Sequence, residues 1–277
     1  MFTLGRVSRM TRHNLFTKIP IRTYIRPHYY DNSLSKAMKQ QQNPFRRIGR
    51  FLDEMDHKKV LWTMIGTNVV VFCCWQYAKD SYKQFGDSRW LDFMCRHFTL
   101  NKTSMDANQY HTLLTSTFSH SSLPHLAMNM FVLQSMGEGV LTAIGTSRFL
   151  LLYTGAGVVA SLSSLVYSKY IRPLLETNKF GYRQNMNTLS LGASGSLMGL
   201  ASFFAAAFPK TTFYVFFIIP MPALACVGLF AAVDVYLAST LNSGILDSAA
   251  HVGGAVYGLG YWFLRVKPML RTGRWRF

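Results

Sequence analysis

Acidic residues are scarce in this chain, and its few cysteines follow no framework spacing. Only 12 of the 277 residues are Asp or Glu, against 29 Lys or Arg, so the formal net charge is +17. The 4 cysteines form no Cys-x-x-Cys motif, which argues against a disulfide scaffold or a structural zinc site. No His-Glu-x-x-His motif is present either, so the sequence predicts no metal and no other cofactor.

Charged residues of both signs make up only 15% of the chain, whereas 49% is apolar, which is too apolar for an ordinary soluble domain. Most of the positive charge lies at the two ends, with a net +9 in residues 1–60 and +5 in residues 265–277. A nucleic-acid-binding domain interleaves basic with polar and aromatic residues on a folded face. Here the basic ends flank apolar runs, which favours a membrane protein and predicts no nucleic-acid partner.

The N-terminal region is basic and lacks the apolar core of a secretory signal. Residues 1–30 contain six Arg or Lys, several Ser and Thr, and no acidic residue, which is typical of a mitochondrial transit peptide. We predict a disordered presequence and basic linker over residues 1–57, with cleavage after Tyr24 and a short basic interfacial helix from Phe45 to Lys59. A disordered cytosolic tail is the alternative.

Apolar runs with few charged residues, each about long enough to cross a bilayer as a helix, follow from Val60 onward. Thr211–Ile219 is rich in aromatic and β-branched residues and is predicted to be an extended connector. With six spans both basic termini lie on one side of the membrane, the matrix side. The six predicted spans are Val60–Ala78, Leu123 to about Ala143, Phe149–Ser168, Leu189–Phe208, Pro222–Thr240 and Asp247–Leu264.

Polar side chains occur near the start of the second, fourth and sixth spans, which all enter from the outer side. His125 and Asn129 are four residues apart and share a helix face. Ser194 is placed about five residues into its span and His251 about four into its own. At 1.5 Å per residue all four groups lie within roughly 10 Å of the level at which the spans enter the membrane from the outer side. Polar groups at that depth are costly and indicate a functional site.

Stripes of small residues spaced four apart run along the fourth and sixth spans. They consist of Gly195 and Gly199 in one and of Ala250, Gly254 and Gly258 in the other. Such stripes let membrane helices approach closely. We therefore predict that these helices pack together and bring the Ser194 hydroxyl within hydrogen-bond distance of His251, about 3 Å.

These motifs resemble those of the rhomboid intramembrane serine proteases, in particular the mitochondrial presenilin-associated rhomboid-like group. The resemblance implies an all-α membrane protein with a six-transmembrane-helix rhomboid catalytic domain over residues 58–266 and a basic tail over residues 267–277. It also implies that Ser194 is the nucleophile, His251 the general base, and His125 with Asn129 the oxyanion hole. The motifs are Gly192-Ala193-Ser194-Gly195, Ala250-His251-Val252-Gly253-Gly254 and His125-Leu126-Ala127-Met128-Asn129.

By this resemblance the chain is expected to be a multi-pass serine endopeptidase of the mitochondrial inner membrane. Its expected partners are membrane lipid and single-pass transmembrane substrates, such as a dynamin-like fusion GTPase or a mitophagy kinase. A catalytically silent, client-binding rhomboid-like protein is one alternative, and the presence of both Ser194 and His251 argues against it. A channel or carrier is the other, and the absence of internal symmetry argues against that.

Three features depart from the family pattern. No apolar run precedes Val60, where the mitochondrial group usually has an extra span. Met198 stands where many bacterial members have a Tyr, and Arg89-Trp90 reverses a common Trp-Arg pair.

Two carboxylates and three further histidines have open roles. Asp247 is either the N-cap of the sixth span or a third triad member, and the N-cap role is favoured. Asp234 is either a structural hydrogen-bond partner or a residue lining the route between the second and fifth spans. The remaining histidines are expected in loops (His97 and His111) and in a polar turn (His120).

Overall fold

Helices form most of the regular structure in the part of the chain that the structure describes. The computed structural model describes residues 44–176, 190–215, 218–240 and 247–272. The predicted cleavage after Tyr24, most of the predicted presequence and the last residues of the basic tail lie outside these ranges.

The described helices in chain order fall into two groups, one before and one after the Ser116–Phe118 3₁₀ turn. Preceding it are α1 (Pro44–Asp53), α2 (His57–Phe85), α3 (Arg89–Phe98), α4 (Lys102–Asp106) and α5 (Thr112–Thr115). Following it are α6 (Leu123–Ile144), α7 (Thr146–Val166), α8 (Arg172–Glu176), α9 (Ser194–Ala207), α10 (Ala223–Thr240), α11 (Ser248–Tyr261) and α12 (Lys267–Arg271). Single π-helical turns extend α7 over Tyr167–Ile171 and α11 over Trp262–Val266.

Each of the six predicted spans contains a helix, namely α2, α6, α7, α9, α10 and α11. Among the described residues, three helical segments are long and apolar enough to cross a membrane: His57–Phe85, Thr146–Leu175 and Ala223–Thr240. Helix α9 is apolar but shorter. The all-α membrane fold is thus confirmed.

The fourth span begins later than predicted. Its helix starts at Ser194 rather than at Leu189, so Ser194 is the first helical residue and not the fifth. The physical reason lies just upstream, where Gly192 adopts φ +130°. Before it, Ser190 pairs with Leu100 in an isolated antiparallel bridge, which holds the chain extended.

The predicted interfacial helix from Phe45 to Lys59 is also wrong in its end point. Helix α1 stops at Asp53, and α2 begins at His57 with Asp56 as its N-cap. The Asp56 carboxylate accepts hydrogen bonds from the backbone N–H groups of Lys58 and Lys59, at 2.8 and 3.3 Å. An aspartate that caps the second helix in this way separates the two helices.

The turn between α6 and α7 is held by a carboxylate from α1. Asp53 accepts from the backbone N–H and the hydroxyl of Ser147, at 2.8 and 3.1 Å. Gly145 adopts φ +77° in this turn. Asp53 therefore satisfies an otherwise unpaired N–H in the first turn of α7.

The connector predicted to be extended forms a short antiparallel hairpin. Strand β1 (Thr212–Val215) pairs with β2 (Ile219–Pro222), with Thr212 opposite Pro222 and Val215 opposite Ile219. The hairpin leads directly into α10.

Helices α7, α9 and α11 pack at backbone contact through the predicted stripes of small residues. A Cβ added to Gly254 would overlap the carbonyl oxygen of Gly195, and one added to Gly258 would overlap that of Gly199. A Cβ at Gly199 would also overlap Ala156 of α7. The predicted close approach of α9 and α11 is confirmed.

Helix α10 is sparsely packed by comparison. Its buried residues are Ala223, Cys226, Val227 and Asp234, and many of its large apolar side chains are exposed. A buried carboxylate on such a helix requires a local partner.

Candidate active site

The start of α9 places Ser194 where backbone donors are available. The first N–H groups of a helix have no intrahelical carbonyl to bond, and the helix dipole makes this end partly positive. Gly192, two residues earlier, donates its backbone N–H to the Ser116 carbonyl at 3.0 Å. This bond anchors the loop just before Ser194, the first residue of α9.

Ser194 and His251 are in hydrogen-bond contact. His251 is the fourth residue of α11, and its Nε2 lies 2.8 Å from Ser194 Oγ. The contact follows from the glycine stripes, because only a close approach of α9 and α11 brings these two side chains together. The predicted distance of about 3 Å is confirmed.

A third group, Asp234 of α10, lies against the far side of the imidazole. His251 Nδ1 is 3.1 Å from both Asp234 carboxylate oxygens, and the two side chains are only 13% and 9% exposed. An ionised carboxylate only accepts hydrogen bonds, so Nδ1 carries a proton and donates it. In the neutral ring Nε2 therefore has the lone pair, which faces the Ser194 hydroxyl.

Asp247, the other open carboxylate, is the N-cap of α11. One of its oxygens accepts from the Ala250 backbone N–H at 3.1 Å and the other from the Ser164 hydroxyl at 2.5 Å. Both oxygens are thus engaged by groups other than the imidazole. The N-cap interpretation of Asp247 is confirmed, and Asp234 is the hydrogen-bond partner of His251.

His125 lines the same site from α6. The point that a Gly192 Cβ would occupy lies 3.1 Å from His125 Nε2 and 3.8 Å from Ser194 Oγ. Because any side chain at residue 192 would meet the imidazole, this glycine is needed both for its backbone conformation and for the room it leaves.

Asn129 lies one turn further along α6 and is held by a histidine from the preceding turn. Its Nδ2 is 2.9 Å from His120 Nε2. His120 occupies a turn, as predicted, but it is fully buried, and its ring packs edge-on against His125 with centroids 5.1 Å apart. The sequence gives no sign of this contact, since His120 lies outside the helical periodicity that relates His125 to Asn129.

His97 and His111 do not join this group. His97 lies in α3 rather than in the predicted loop, and His111 lies just before α5. Their ring nitrogens Nδ1 and Nε2 are 3.0 Å apart in the connector between α2 and α6.

A small cavity adjoins Ser194 on the side facing α7. Its volume is about 20 Å³ and its polar lining includes Ser116, Ser161 and Asp247. That volume corresponds to about one water molecule. Over the described ranges, no group of three or more His, Cys, Asp or Glu side chains is arranged to hold a metal ion.

Comparison with known proteins decides the family. The Rhomboid domain matches residues 107–268, more than half of the chain, including Ser194, His251, His125 and Asn129. This chain belongs to the rhomboid family.

Mitochondrial rhomboid proteins are among its relatives. The rhomboid chain is 32% identical over 227 residues to "Rhomboid protein 1, mitochondrial" of Saccharomyces cerevisiae, covering 79% of this chain and 59% of that protein. It is 29% identical over 231 residues to the human "Presenilin-associated rhomboid-like protein, mitochondrial", covering 82% and 54%. It is 26% identical over 241 residues to "RHOMBOID-like protein 12, mitochondrial" of Arabidopsis thaliana, covering 86% and 67%.

This rhomboid spans little more than half the length of the yeast and human relatives. The similarity and the apolar helices confirm the predicted family and group, and they identify a mitochondrial multi-pass membrane protein.

Proposed function

We propose that this rhomboid is a serine endopeptidase of the mitochondrial inner membrane that cleaves transmembrane segments of single-pass proteins. The observation that carries the proposal is the 2.8 Å contact between Ser194 Oγ and His251 Nε2, on two helices that meet at their glycines. A hydroxyl beside a neutral imidazole whose second nitrogen is held by a carboxylate is the arrangement that activates a serine nucleophile.

In the acylation step, Ser194 Oγ attacks the scissile carbonyl carbon while its proton passes to His251 Nε2. The C–N bond of the tetrahedral intermediate then breaks, and His251 returns the proton to the leaving amine. Water attacks the acyl-enzyme with His251 again acting as base, which releases the carboxylate product and restores the serine. No metal or cofactor takes part in this sequence.

The oxyanion is stabilised by donors near the start of α9. The Ser194 backbone N–H donates a hydrogen bond to the oxyanion, and the partial positive charge at the N-terminus of α9 adds to the stabilisation. His125 reaches the same space beside Gly192, and Asn129 follows it one turn along α6.

Asp234 extends the proposed Ser194–His251 dyad as a positioning residue. By accepting the Nδ1 proton it keeps the His251 Nε2 lone pair directed at Ser194. Its negative charge also stabilises the imidazolium that forms during attack.

The substrate is the end of another protein's membrane helix, locally unwound. Peptide bonds within an intact helix have their backbone groups paired, and unpairing them in lipid costs several kcal/mol each. Helix-weakening residues such as Gly near the scissile bond therefore favour cleavage.

The test uses the full chain in proteoliposomes with a single-span reporter. Wild type is expected to cleave the reporter, and Ser194→Ala and His251→Ala are expected to lose cleavage. Ser196→Ala is the matched control, because this serine lies fully buried on the same helix two residues further on. A fluorophosphonate probe is expected to label wild type and the control but not Ser194→Ala. Equal cleavage by wild type and Ser194→Ala would reject the proposal, and reporter binding without cleavage in either would identify a silent client-binding rhomboid.

A further inference from the structure

The turn that carries His120 is anchored from two other helices. Trp75 of α2 donates its indole N–H to Ser119 Oγ at 3.1 Å, and that hydroxyl donates to the Phe98 carbonyl of α3 at 2.7 Å. Lys79 of α2 donates to the Ser121 carbonyl at 3.0 Å. These bonds fix the backbone on both sides of His120, whose side chain is completely buried. The position of the ring is therefore set by α2 and α3 as well as by α6.

The contact between His120 and Asn129 has a defined direction. It joins two nitrogens, His120 Nε2 and Asn129 Nδ2, at 2.9 Å. With the amide nitrogen as the donor, the imidazole Nε2 is the unprotonated acceptor and the ring proton lies on Nδ1. In that tautomer the opposite rotation of the amide would place its carbonyl oxygen against the lone pair of Nε2, which is repulsive. The Nδ1-protonated ring of His120 thus holds the amide in one orientation and leaves the second N–H of Asn129 for another acceptor.

The surroundings of His120 favour its neutral form. Burial, followed by the adjacent His125, lowers its pKa to about 4, against the opposing effect of the Phe118 backbone. A neutral ring retains the lone pair that the amide contact requires. The same ring packs against His125, so it touches both residues proposed to hold the oxyanion.

We infer that His120 is a positioning residue of the oxyanion hole, which orients the Asn129 amide with its free N–H towards the developing negative charge and supports the His125 ring. The inference rests on the proposed function, because it assigns His120 to the reaction that Ser194 carries out. Its effect falls on the transition state, where the oxyanion exists, and not on substrate binding.

The decisive variant is His120→Phe, which keeps a planar ring but removes the acceptor. Removing a complete oxyanion donor lowers kcat by about 10² to 10³-fold. A misoriented donor should cost less, so we expect kcat to fall by about 10- to 100-fold while KM stays within about twofold. In an Asn129→Ala background the same substitution should change kcat by no more than about threefold, since the amide that it orients is already missing. The surface variant His111→Gln is the control and should match wild type.

A second pair of variants tests the same inference if His120→Phe folds poorly. His120→Gln can place an acceptor where Nε2 lies, whereas His120→Asn carries the same amide on a shorter chain. We expect His120→Gln to retain kcat within about fivefold of wild type and His120→Asn to behave like His120→Phe. Equal activity of these two amide variants would overturn the inference.

Other outcomes separate this inference from the proposed function. If Ser194→Ala abolishes cleavage but His120→Phe leaves kcat unchanged, the protease proposal stands and the positioning role falls. The positioning role also falls if His120→Phe lowers kcat equally with and without Asn129, or acts only on KM. If Ser194→Ala still cleaves, both proposals fall together.

Discussion

Replacing the Asp234 carboxylate with an amide tests how much its charge contributes to the reaction. In Asp234→Asn the side-chain oxygen can still accept the His251 Nδ1 proton, but the negative charge is lost. Across the 3.1 Å contact the gross attraction to an imidazolium is about 5 kcal/mol at an effective dielectric constant of about 20. The net worth of a hydrogen bond to a charged group is about 1.5–3 kcal/mol. At about 1.4 kcal/mol per tenfold change, this corresponds to a fall in kcat of about 10- to 150-fold.

The assay is single-turnover cleavage of the reporter in proteoliposomes, with KM determined separately. The matched control is Asp247→Asn, a second carboxylate one turn before His251 that caps α11 and bonds Ser164. An amide at residue 247 can still cap the helix, so kcat should stay within about threefold of wild type. A full rate in Asp234→Asn, or an equal loss in both variants, would refute the reasoning, because the charge beside the imidazole would then have no specific effect.

Three further predictions concern stability. Gly254→Ala should destabilise the protein by about 1–3 kcal/mol, because the added Cβ overlaps α9. The control Gly228→Ala should have no destabilising effect, because a Cβ there meets no atom within 4 Å. Both are measured by denaturant unfolding in detergent. Burial lowers the His120 pKa from 6.5 to about 4. The fold therefore has its full stability above pH 6.5, where the ring is neutral, and loses about 3 kcal/mol as the pH falls towards 4. The free energy of unfolding of His120→Gln should depend less steeply on pH across this range. Asp53→Ala should lower the free energy of unfolding by about 1 kcal/mol through loss of the α7 cap, and its neighbour Glu54→Ala by less than about 0.5 kcal/mol.

The sequence predicts the spans and the meeting of Ser194 with His251 for physical reasons. Membrane spans can be recognised in the sequence because the lipid interior requires long apolar helices. The close packing of α9 and α11 can be predicted because glycines four residues apart leave a groove into which a neighbouring backbone fits. Both signals are local in sequence. The Ser194–His251 contact is confirmed, and each predicted span contains a helix, although only three of the described helical segments are long and apolar enough to cross a membrane.

The start of α9 and the partner of His251 depend on contacts that are distant in sequence. Helix α9 begins at Ser194 because Ser190 pairs with Leu100, ninety residues earlier. Asp234 meets His251 only for one rotation of α10 about its axis. The apolar residues of α10 surround the helix evenly, so hydropathy does not fix that rotation, and the sequence leaves open which residue Asp234 bonds.

The position of Asp234 has a consequence for the balance between stability and rate. A carboxylate that faces a neutral imidazole is a buried charge compensated only by hydrogen bonds, and burying such a charge has a desolvation cost. When the Ser194 proton moves to His251 the same carboxylate faces a cation, and the pair is stabilised most strongly in the transition state. Asp234→Asn should therefore unfold at a higher denaturant concentration than wild type while cleaving more slowly, as expected where a strained site supports activity. A variant that loses stability together with rate would instead indicate that the carboxylate mainly holds α10 against α11.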